Sequence, residues 1–526
     1  MSMEFDYIIV GAGSAGCVLA SRLSENPANQ VLLVEAGGSN KSPLIQIPFF
    51  TVLTMPFWLK NWHYWTVPQP GLYNRCGYQP RGKALGGSSA INAMIYIRGQ
   101  GEDYDEWALT TSTDWSYDSV LPLFKKFEHN YSIHDSYHGQ DGELAVNDLV
   151  SPNPISQVFV EAGKACGYDY NPDFNGASQS GVGLYQVTQK AGKRHSAADA
   201  FLDPISDRAN LTVLTRAHVL KLLISGTHCH GIKVQHKGKK IEFSARKKVI
   251  LSAGAINSPH LLLLSGVGPR EELSRHGINC IHELPGVGEN FHDHPDYVHV
   301  YKANNPNLLG FGPSALWDIF KAYRVYKKNS TGMMATNFAE AGGFLSTDSQ
   351  QERPDIQLHF VPGIVDAHCH KFHFARGMSL HFCVLRPKSR GRISLKSANP
   401  FHAPAIDPNF LAHDYDLEIM LRAYKMTQEL MEHELFSSCN ARPIYQATSD
   451  AEIIQLIRQR ADTVYHPVGS CRMGHDDMAV VDSRLNVHGI TGLVIADASI
   501  MPQVVSGNTN APTMMIAEQA ARFILD

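Results

Sequence analysis

The chain lacks several features that would place it in a class at once. No apolar run reaches the roughly 18–20 residues that a bilayer-spanning helix needs, so nothing in it is expected to cross a membrane. No block of Lys and Arg occurs and the formal charge is −4, which gives no reason to expect a nucleic-acid partner. The nine cysteines are scattered, odd in number and without a CxxC pair. They read as reduced thiols of a cytoplasmic protein and not as a disulfide framework. No GxSxG elbow surrounds any serine, which argues against a serine hydrolase. The few residues ahead of the first apolar stretch are too short for a secretory signal.

What is present begins with a glycine motif. At 526 residues, 44% of them hydrophobic, the chain is long enough for two to four ordered cores. Tyr7 to Val10 reads as a buried strand, Ser14 to Leu23 as a helix, and Val31 to Val34 as a second strand that stops at Glu35. Between the first two lies Gly11-Ala12-Gly13-Ser14-Ala15-Gly16. In a βαβ unit Gly11 permits the tight turn, Gly13 lets the backbone approach a diphosphate, and Gly16 lets helix and sheet pack closely. The diphosphate would sit at the helix N-terminus, where free N–H groups favour anions. Glu35 stands where a ribose-binding acid belongs. No later segment repeats GxGxxG between strand and helix, so one dinucleotide is expected. A second run, Pro80 to Asn92, is dense in glycine and small residues and suits a backbone pressed against a flat ring or a diphosphate.

Further along, 211–214 and 219–223 read as strands, as does 241–251, and 260–264 as an apolar helix opened by the run Gly254 to Pro259. The stretch from about 295 to 455 differs. Alternating strands such as 356–360 and 379–385, followed by a helix over 415–430, predict an antiparallel sheet covered on one face by helices. Strand character returns at 493–496, and 511–525 predicts a last helix. The expected class is therefore an α/β Rossmann-like domain plus an α+β domain with an antiparallel sheet, interleaved in sequence.

Six motifs together carry a resemblance to the glucose-methanol-choline family of flavoprotein oxidoreductases over essentially the whole length. They are GAGSAG with Glu35, GKALGGSSAIN at 82–92, GAINSPHLLLLSGVG at 254–268, GVGENFHDHP at 286–295, YHPVGSCRMG at 465–474 and ADASIMPQVVSGNTNAPT at 496–513. Within the family, the wording of 80–98 and 465–474 is most similar to bacterial dehydrogenases of aliphatic primary alcohols, including those of alkane-degradation pathways. Choline dehydrogenases are close cousins.

The resemblance implies FAD, held by a domain assembled from 1–155, 191–295 and 456–526, and a substrate domain from 156–190 and 296–455. His466 matches the catalytic histidine and Asn510 its His/Asn partner. Gly11, Gly13, Ser14, Ala15, Gly16, Glu35, Ala36, Gly86, Gly87, Asn92, Ala93, Met94, Val219, Asp497, Ala498, Asn510 and Pro512 fall at positions expected to hold the cofactor. Asn92 belongs to the stretch along the flavin ring, and the backbone of Val219 is expected to meet the adenine. Members with covalent flavin carry a His just before that Asn; here the residue is Ile91, so the FAD is expected to be non-covalent.

The implied chemistry is removal of a hydroxyl proton and transfer of a hydride to flavin N5. A histidine near pKa 7 suits the first task, and burial keeps an imidazole neutral. The expected reaction is oxidation of a primary alcohol to the aldehyde, with a quinone or another membrane electron carrier as acceptor. A choline dehydrogenase, an oxygen-using oxidase and a non-redox flavin lyase are the alternatives. No metal site is expected: Asp366, His368, Cys369, His370 and His373 lie in a loop, and His292-Asp293-His294 reads as packing or flavin support. Two segments bear on peripheral attachment at the cytoplasmic face of a membrane. Residues 47–59 are too apolar for an idle surface loop, and 314–328 is amphipathic, with Leu316, Ile319, Phe320 and Tyr323 against Lys321, Arg324, Lys327 and Lys328.

Overall fold

Two seven-stranded sheets carry the architecture in a computed structural model that describes residues 3–310 and 315–526. The first uses β1 (Met3–Val10), β2 (Val31–Val34), β3 (Leu211–Leu214), β4 (Ala217–Ser225), β5 (His228–His236), β6 (Lys239–Leu251) and β7 (Leu493–Ile495). They pair in the order β3–β2–β1–β6–β5–β4, with β7 on the end of β6. β3, β2, β1, β6 and β7 run parallel, and β4 and β5 are antiparallel additions. Ile8, Ile9 and Val31 to Leu33 are fully buried. A parallel sheet covered on both faces needs such continuous apolar strands.

The helices that bear on the site are α1 (Ser14–Leu23), α2 (Gly254–Leu264), α3 (Ala315–Asn329), α4 (Asp414–Met431) and α5 (Asn510–Leu525). The turn from β1 into α1 requires glycine. Gly11 has φ +98°, and a Cβ on Gly16 would lie 1.8 Å from the Gly11 carbonyl oxygen.

The second sheet is antiparallel throughout. Its strands pair in the order Arg442–Pro443, Pro295–Lys302, Gly377–Val384, Ile356–Val361, Ala341–Leu345, Gly181–Leu184. The strand alternation divides its faces. Leu358, Phe360, Leu380 and Phe382 share a core with Ile419, Met420, Ala423 and Tyr424 of α4. The cross-strand pair His359 and His381 lines the large cavity instead. The strand Asp462–Thr463 pairs with Pro295–Asp296 of this sheet, although it lies beyond the boundary drawn at 455. The chain thus leaves the second sheet only just before His466.

The two apolar segments meet each other. Residues 43–54 form short helical turns. Ile319, Ala322 and Tyr326 of α3, spaced three and four apart, pack against Ile47, Phe49, Phe50 and Met334. Phe320 and Tyr323, grouped with Ile319 on the expected apolar face, are exposed, as are Trp317, Lys321, Arg324, Val325, Lys327 and Lys328. Ser314 and the side chain of Leu316 lie outside the described residues.

Candidate active site

A continuous cavity of about 1370 Å³ runs from the ends of the parallel strands to the second sheet. At the first end it meets Val10, Val34, Ser252 and Asp497, which lie at or just beyond the carboxyl ends of β1, β2, β6 and β7, where open α/β sheets bind ligands. Here α1 and α5 begin side by side, and Ser14 Oγ donates to Asn510 Oδ1 at 2.7 Å. Two helix N-termini therefore face the same space, with dipoles that favour an anion.

The wall fits a dinucleotide. A Cβ on Gly87 would lie 2.6 Å from Gly13 Cα, whereas a Cβ on Gly13 would meet nothing closer than 4.0 Å. Gly13 thus leaves room over the helix start. Glu35 accepts the N–H of Ala12 at 3.0 Å and of Gly37 at 2.7 Å. Burial pushes its carboxyl up to about 7, against the pull of those two N–H groups. The buried Ser252 hydroxyl on the same wall has no partner among the described residues.

Of the expected cofactor residues, Gly11, Gly13, Ser14, Ala15, Glu35, Ala36, Gly87, Asn92, Ala93, Met94, Val219, Asp497, Ala498 and Asn510 line the cavity. Gly16, Gly86 and Pro512 stand behind its wall. Gly86 donates its N–H to Ala12 at 2.8 Å and so ties the glycine-rich run to the β1 turn. Asp497 accepts from Gly254 N at 2.8 Å, Ser258 Oγ at 2.6 Å and Ser499 N at 2.8 Å, which pins the start of α2 to the turn after β7. The buried Arg194, absent from the sequence reading, donates to Asn92 Oδ1 at 2.7 Å and Ser89 O at 3.0 Å. It fixes the Asn92 amide with its nitrogen left over for the cavity. Ile91 is buried and lines the cavity.

His466 stands at the second sheet's end of the cavity. Its backbone N–H donates to Asp293 Oδ1 at 2.8 Å, and the preceding Tyr465 takes a left-handed φ of +77°. Burial first, then the neighbouring His294, His359 and Arg81, which disfavour a further positive charge, hold its imidazole well below the ordinary histidine value. Its Nδ1 lies 3.0 Å from His294 Nδ1 and its Nε2 3.0 Å from Asn508 Nδ2. Asn508 in turn accepts from Gln357 Nε2 at 3.0 Å. Asn510, expected as the His/Asn partner of His466, lines the same cavity; its oxygen accepts from Ser14 as the first residue of α5, while Asn508, two positions earlier and outside the helix, reaches the imidazole. Sequence alone does not single out Asn508, Gln357, His294 or His359, because each comes to His466 across the fold. Only the HDH wording at 292–294 hinted at one of them.

The three residues of that motif have separate tasks. His292 Nε2 accepts the N–H of Val504 at 3.0 Å. Asp293 accepts the His466 backbone N–H and the Thr463 hydroxyl, and His294 meets His466. His359 lies across the cavity with its Nδ1 unpartnered among the described residues. The 366–373 cluster spends its polar groups on ion pairs: Asp366 accepts from Arg460 at 2.8 Å, Tyr445 at 2.8 Å and His373 at 2.7 Å, and His368 Nε2 lies 3.0 Å from Asp462.

Comparison with known proteins agrees with this fold. The family model for GMC oxidoreductases matches residues 5–296 in its N-terminal part and 387–517 in its C-terminal part. The chain is 46% identical to an alcohol dehydrogenase (acceptor) of Pseudomonas putida, over 99% of this chain and 96% of the other. It is 41% identical to an oxygen-dependent choline dehydrogenase of Chromohalobacter salexigens, over 98% and 94%. Among solved structures, pyridoxine 4-oxidase from Mesorbium loti superposes with a TM-score of 0.89 at 30% identity, covering 98% of each chain.

Proposed function

The chain belongs to the GMC oxidoreductase family, and from that premise we propose that it oxidises primary aliphatic alcohols to aldehydes, with His466 as the base and a quinone as the electron acceptor. FAD-dependent oxidation of an alcohol is what the family and the Pseudomonas relative share; the alkyl substrate, the base and the acceptor are the proposal.

One observation carries the choice of substrate. The cavity that holds His466 is also lined by Phe49, Val52, Met55, Leu309, Ile319 and Ile364. Such a lining recovers roughly 0.8 kcal/mol for each CH₂ it takes from water. The carboxylates that line the cavity are all engaged. Glu35 and Asp497 hold backbone N–H groups at the cofactor end. Glu340 accepts from Asn153 N, Ser156 Oγ and Thr336 Oγ1 at 2.6–2.8 Å, and Asp318 pairs with Arg376 at 3.1 Å. A quaternary ammonium would find no uncommitted acid here.

Bound FAD supplies the acceptor for the substrate's hydride. The residues of this chain do the rest. Gly13, Glu35 and the N-termini of α1 and α5 would hold the diphosphate and ribose. Gly87, Asn92 and Ala93 would offer a wall to the flat ring, and Asn510, its oxygen on Ser14, would offer its amide nitrogen. His466, buried and neutral, takes the hydroxyl proton, and the apolar arm keeps water from the reacting carbon.

Choline is the second reading, favoured by the choline dehydrogenases among the relatives and by the paired rings of Phe49 and Phe338, 5.4 Å apart. Anaerobic mixing with linear primary alcohols and with choline decides between them. Fast bleaching of the flavin by alcohols of intermediate chain length is expected; bleaching by choline alone would reject the aliphatic reading. Readmitting air or a water-soluble quinone then tests the acceptor, and reoxidation in air as fast as turnover would make the protein an oxidase.

The elements around the apolar lining support delivery of both molecules from a lipid surface. Lys321 and Ile319 of α3 and Val52 and Met55 of the 47–59 segment line the cavity. The outer face of α3 shows Trp317 and Phe320, stacked 5.5 Å apart, among four exposed basic side chains. No helix of the described residues is long and apolar enough to cross a membrane, so contact would be peripheral.

A further inference from the structure

A neutral imidazole is a base only at the ring nitrogen that carries no proton. His466 has two neutral tautomers, and they place that nitrogen on opposite sides of the ring. Only Nε2 faces Asn508, a cavity-lining residue; Nδ1 faces His294 in the buried interior. The function of His466 therefore depends on which tautomer the fold selects.

The selection can be traced along one chain of hydrogen bonds. His294 Nε2 lies 3.0 Å from the carbonyl oxygen of Leu385. His294 Nδ1 lies 3.0 Å from His466 Nδ1, with the two rings at 89°. His466 Nε2 then lies 3.0 Å from the Asn508 amide, which lies 3.0 Å from the Gln357 amide. Each imidazole can exchange its donor and acceptor, and each amide can be turned end for end. A backbone carbonyl cannot exchange roles, because it only accepts. It therefore sets the direction of the whole chain. His294 must carry its proton on Nε2, so its Nδ1 is a lone pair. His466 must then donate from Nδ1, and its Nε2 is the lone pair. The reverse order would set the lone pair of His294 Nε2 against the Leu385 oxygen, in a site closed to water.

The surroundings keep both rings neutral. Burial pushes His294 down to about 4 against the pull of the Leu385 and Val505 backbone, with Arg386 adding to the lowering. Around His466, His294, His359 and Arg81 all oppose a positive charge. The nearest carboxylate, Asp293, spends one oxygen on the His466 backbone and the other on Thr463.

We infer that His294 is a positioning residue that reads the main-chain carbonyl of Leu385 and so fixes His466 in the tautomer whose Nε2 can take a proton. The inference rests on His466 being the base. The hydroxyl proton passes to Nε2, the resulting imidazolium keeps its Nδ1–H on His294, and the hydride leaves the carbon with its electron pair for the bound FAD.

The test compares FAD-loaded wild type with His466→Ala, His294→Leu and His294→Asn, each mixed anaerobically with whichever alcohol bleaches the wild-type flavin fastest. His294→Leu removes the acceptor for Nδ1–H and should lower the limiting reduction rate by on the order of 10²-fold or more, with FAD content and half-saturating alcohol little changed. His294→Asn returns an oxygen near the lost Nδ1 and should recover most of that rate. Independently of any variant's folding, ¹⁵N spectra of histidine-labelled wild type should show a deprotonated Nε2 signal that disappears in His466→Ala. A wild-type His466 protonated at Nε2 overturns the inference, as does His294→Leu reducing at the wild-type rate or His294→Asn failing to exceed it. A His466→Ala enzyme with wild-type reduction would instead reject the base itself.

Discussion

Ser14 and Asn510, separated by 496 positions, share a 2.7 Å hydrogen bond between the first residues of α1 and α5. The bond joins the glycine-motif helix to the last helix at the cofactor end of the cavity. It also orients Asn510: with its oxygen committed to Ser14, its amide nitrogen is the group left for a ligand.

Asn510→Ala should therefore slow flavin reduction by alcohol. Loss of one well-placed donor, about 1–2 kcal/mol, corresponds to roughly a tenfold effect. Ser14→Ala frees the Asn510 amide to turn and should give a smaller loss in the same direction. Stopped-flow reduction of the two variants checks this, and an Asn510→Ala rate equal to wild type would count against any role at the reacting centre.

His466→Ala should keep its FAD and reduce it about 10²–10⁴-fold more slowly, the usual range for an acid–base group. The pH dependence has a definite sign. A base works when unprotonated, so kcat/KM rises with pH through its pKa and is level above it. Because burial lowers the His466 imidazole, the rising limb should lie below the ordinary histidine value near 6.5. A limb centred above 7 would be incompatible with this environment.

Ile91 makes the cofactor releasable. Its side chain lines the cavity with no atom able to bond a flavin carbon. Acid precipitation should leave the yellow colour in the supernatant; colour retained by the washed pellet would show a covalent link made elsewhere.

The buried histidines set the acid side of stability. His294 is pushed down to about 4 and His299 and His359 to about 3, all by burial. Their folded values lie below the unfolded one near 6.5. Below that pH the unfolded chain binds more protons than the native one, so stability falls as pH drops from 6.5 toward 4. His138 acts in the opposite sense. Burial lowers it, but its bonds to Asp173 and Glu128 win and raise it to about 9. Its contribution is complete below 6.5 and is lost as pH rises through 9. Thermal unfolding should give the highest Tm near pH 6.5–7, and His138→Ala should flatten the alkaline side only. A Tm unchanged between pH 7 and 5 would contradict the acid limb.

The parts legible in sequence are those whose signals are local. Gly11, Gly13 and Gly16 punctuate the β1–α1 turn, and the helix over 14–23 and the strand over 31–34 come out with their expected ends. The contacts that make the site are not local. His294 and His466 are 172 positions apart, and nothing in either segment names the other. Asn508 and Asn510 show a finer limit. Both are asparagines in one motif, and only the start of α5 decides which amide reaches the imidazole and which meets Ser14. In α3, Ile319 and Phe320 are equally apolar, yet the 47–50 segment covers one and leaves the other in solvent.

That exposed face carries the last prediction. Trp317 is 57% exposed and Phe320 48%, while Trp58 at the far end of the 47–59 segment reaches 74%. Lys321, Arg324, Lys327 and Lys328 surround the α3 aromatics. Aromatic side chains among basic ones suit the interface of an anionic bilayer, where each Lys or Arg contributes about 1 kcal/mol. The wild type should sediment with phosphatidylserine-containing vesicles at low salt and be released as ionic strength screens the charges. Reversing Arg324, Lys327 and Lys328 together should abolish sedimentation while flavin reduction by a soluble alcohol stays unchanged, because none of the three lines the cavity. Trp317→Ser with Phe320→Ser should weaken binding even at low salt, which separates insertion from simple attraction. Wild-type protein that ignores such vesicles would leave α3 and the 47–59 segment as the wall of the cavity and nothing more.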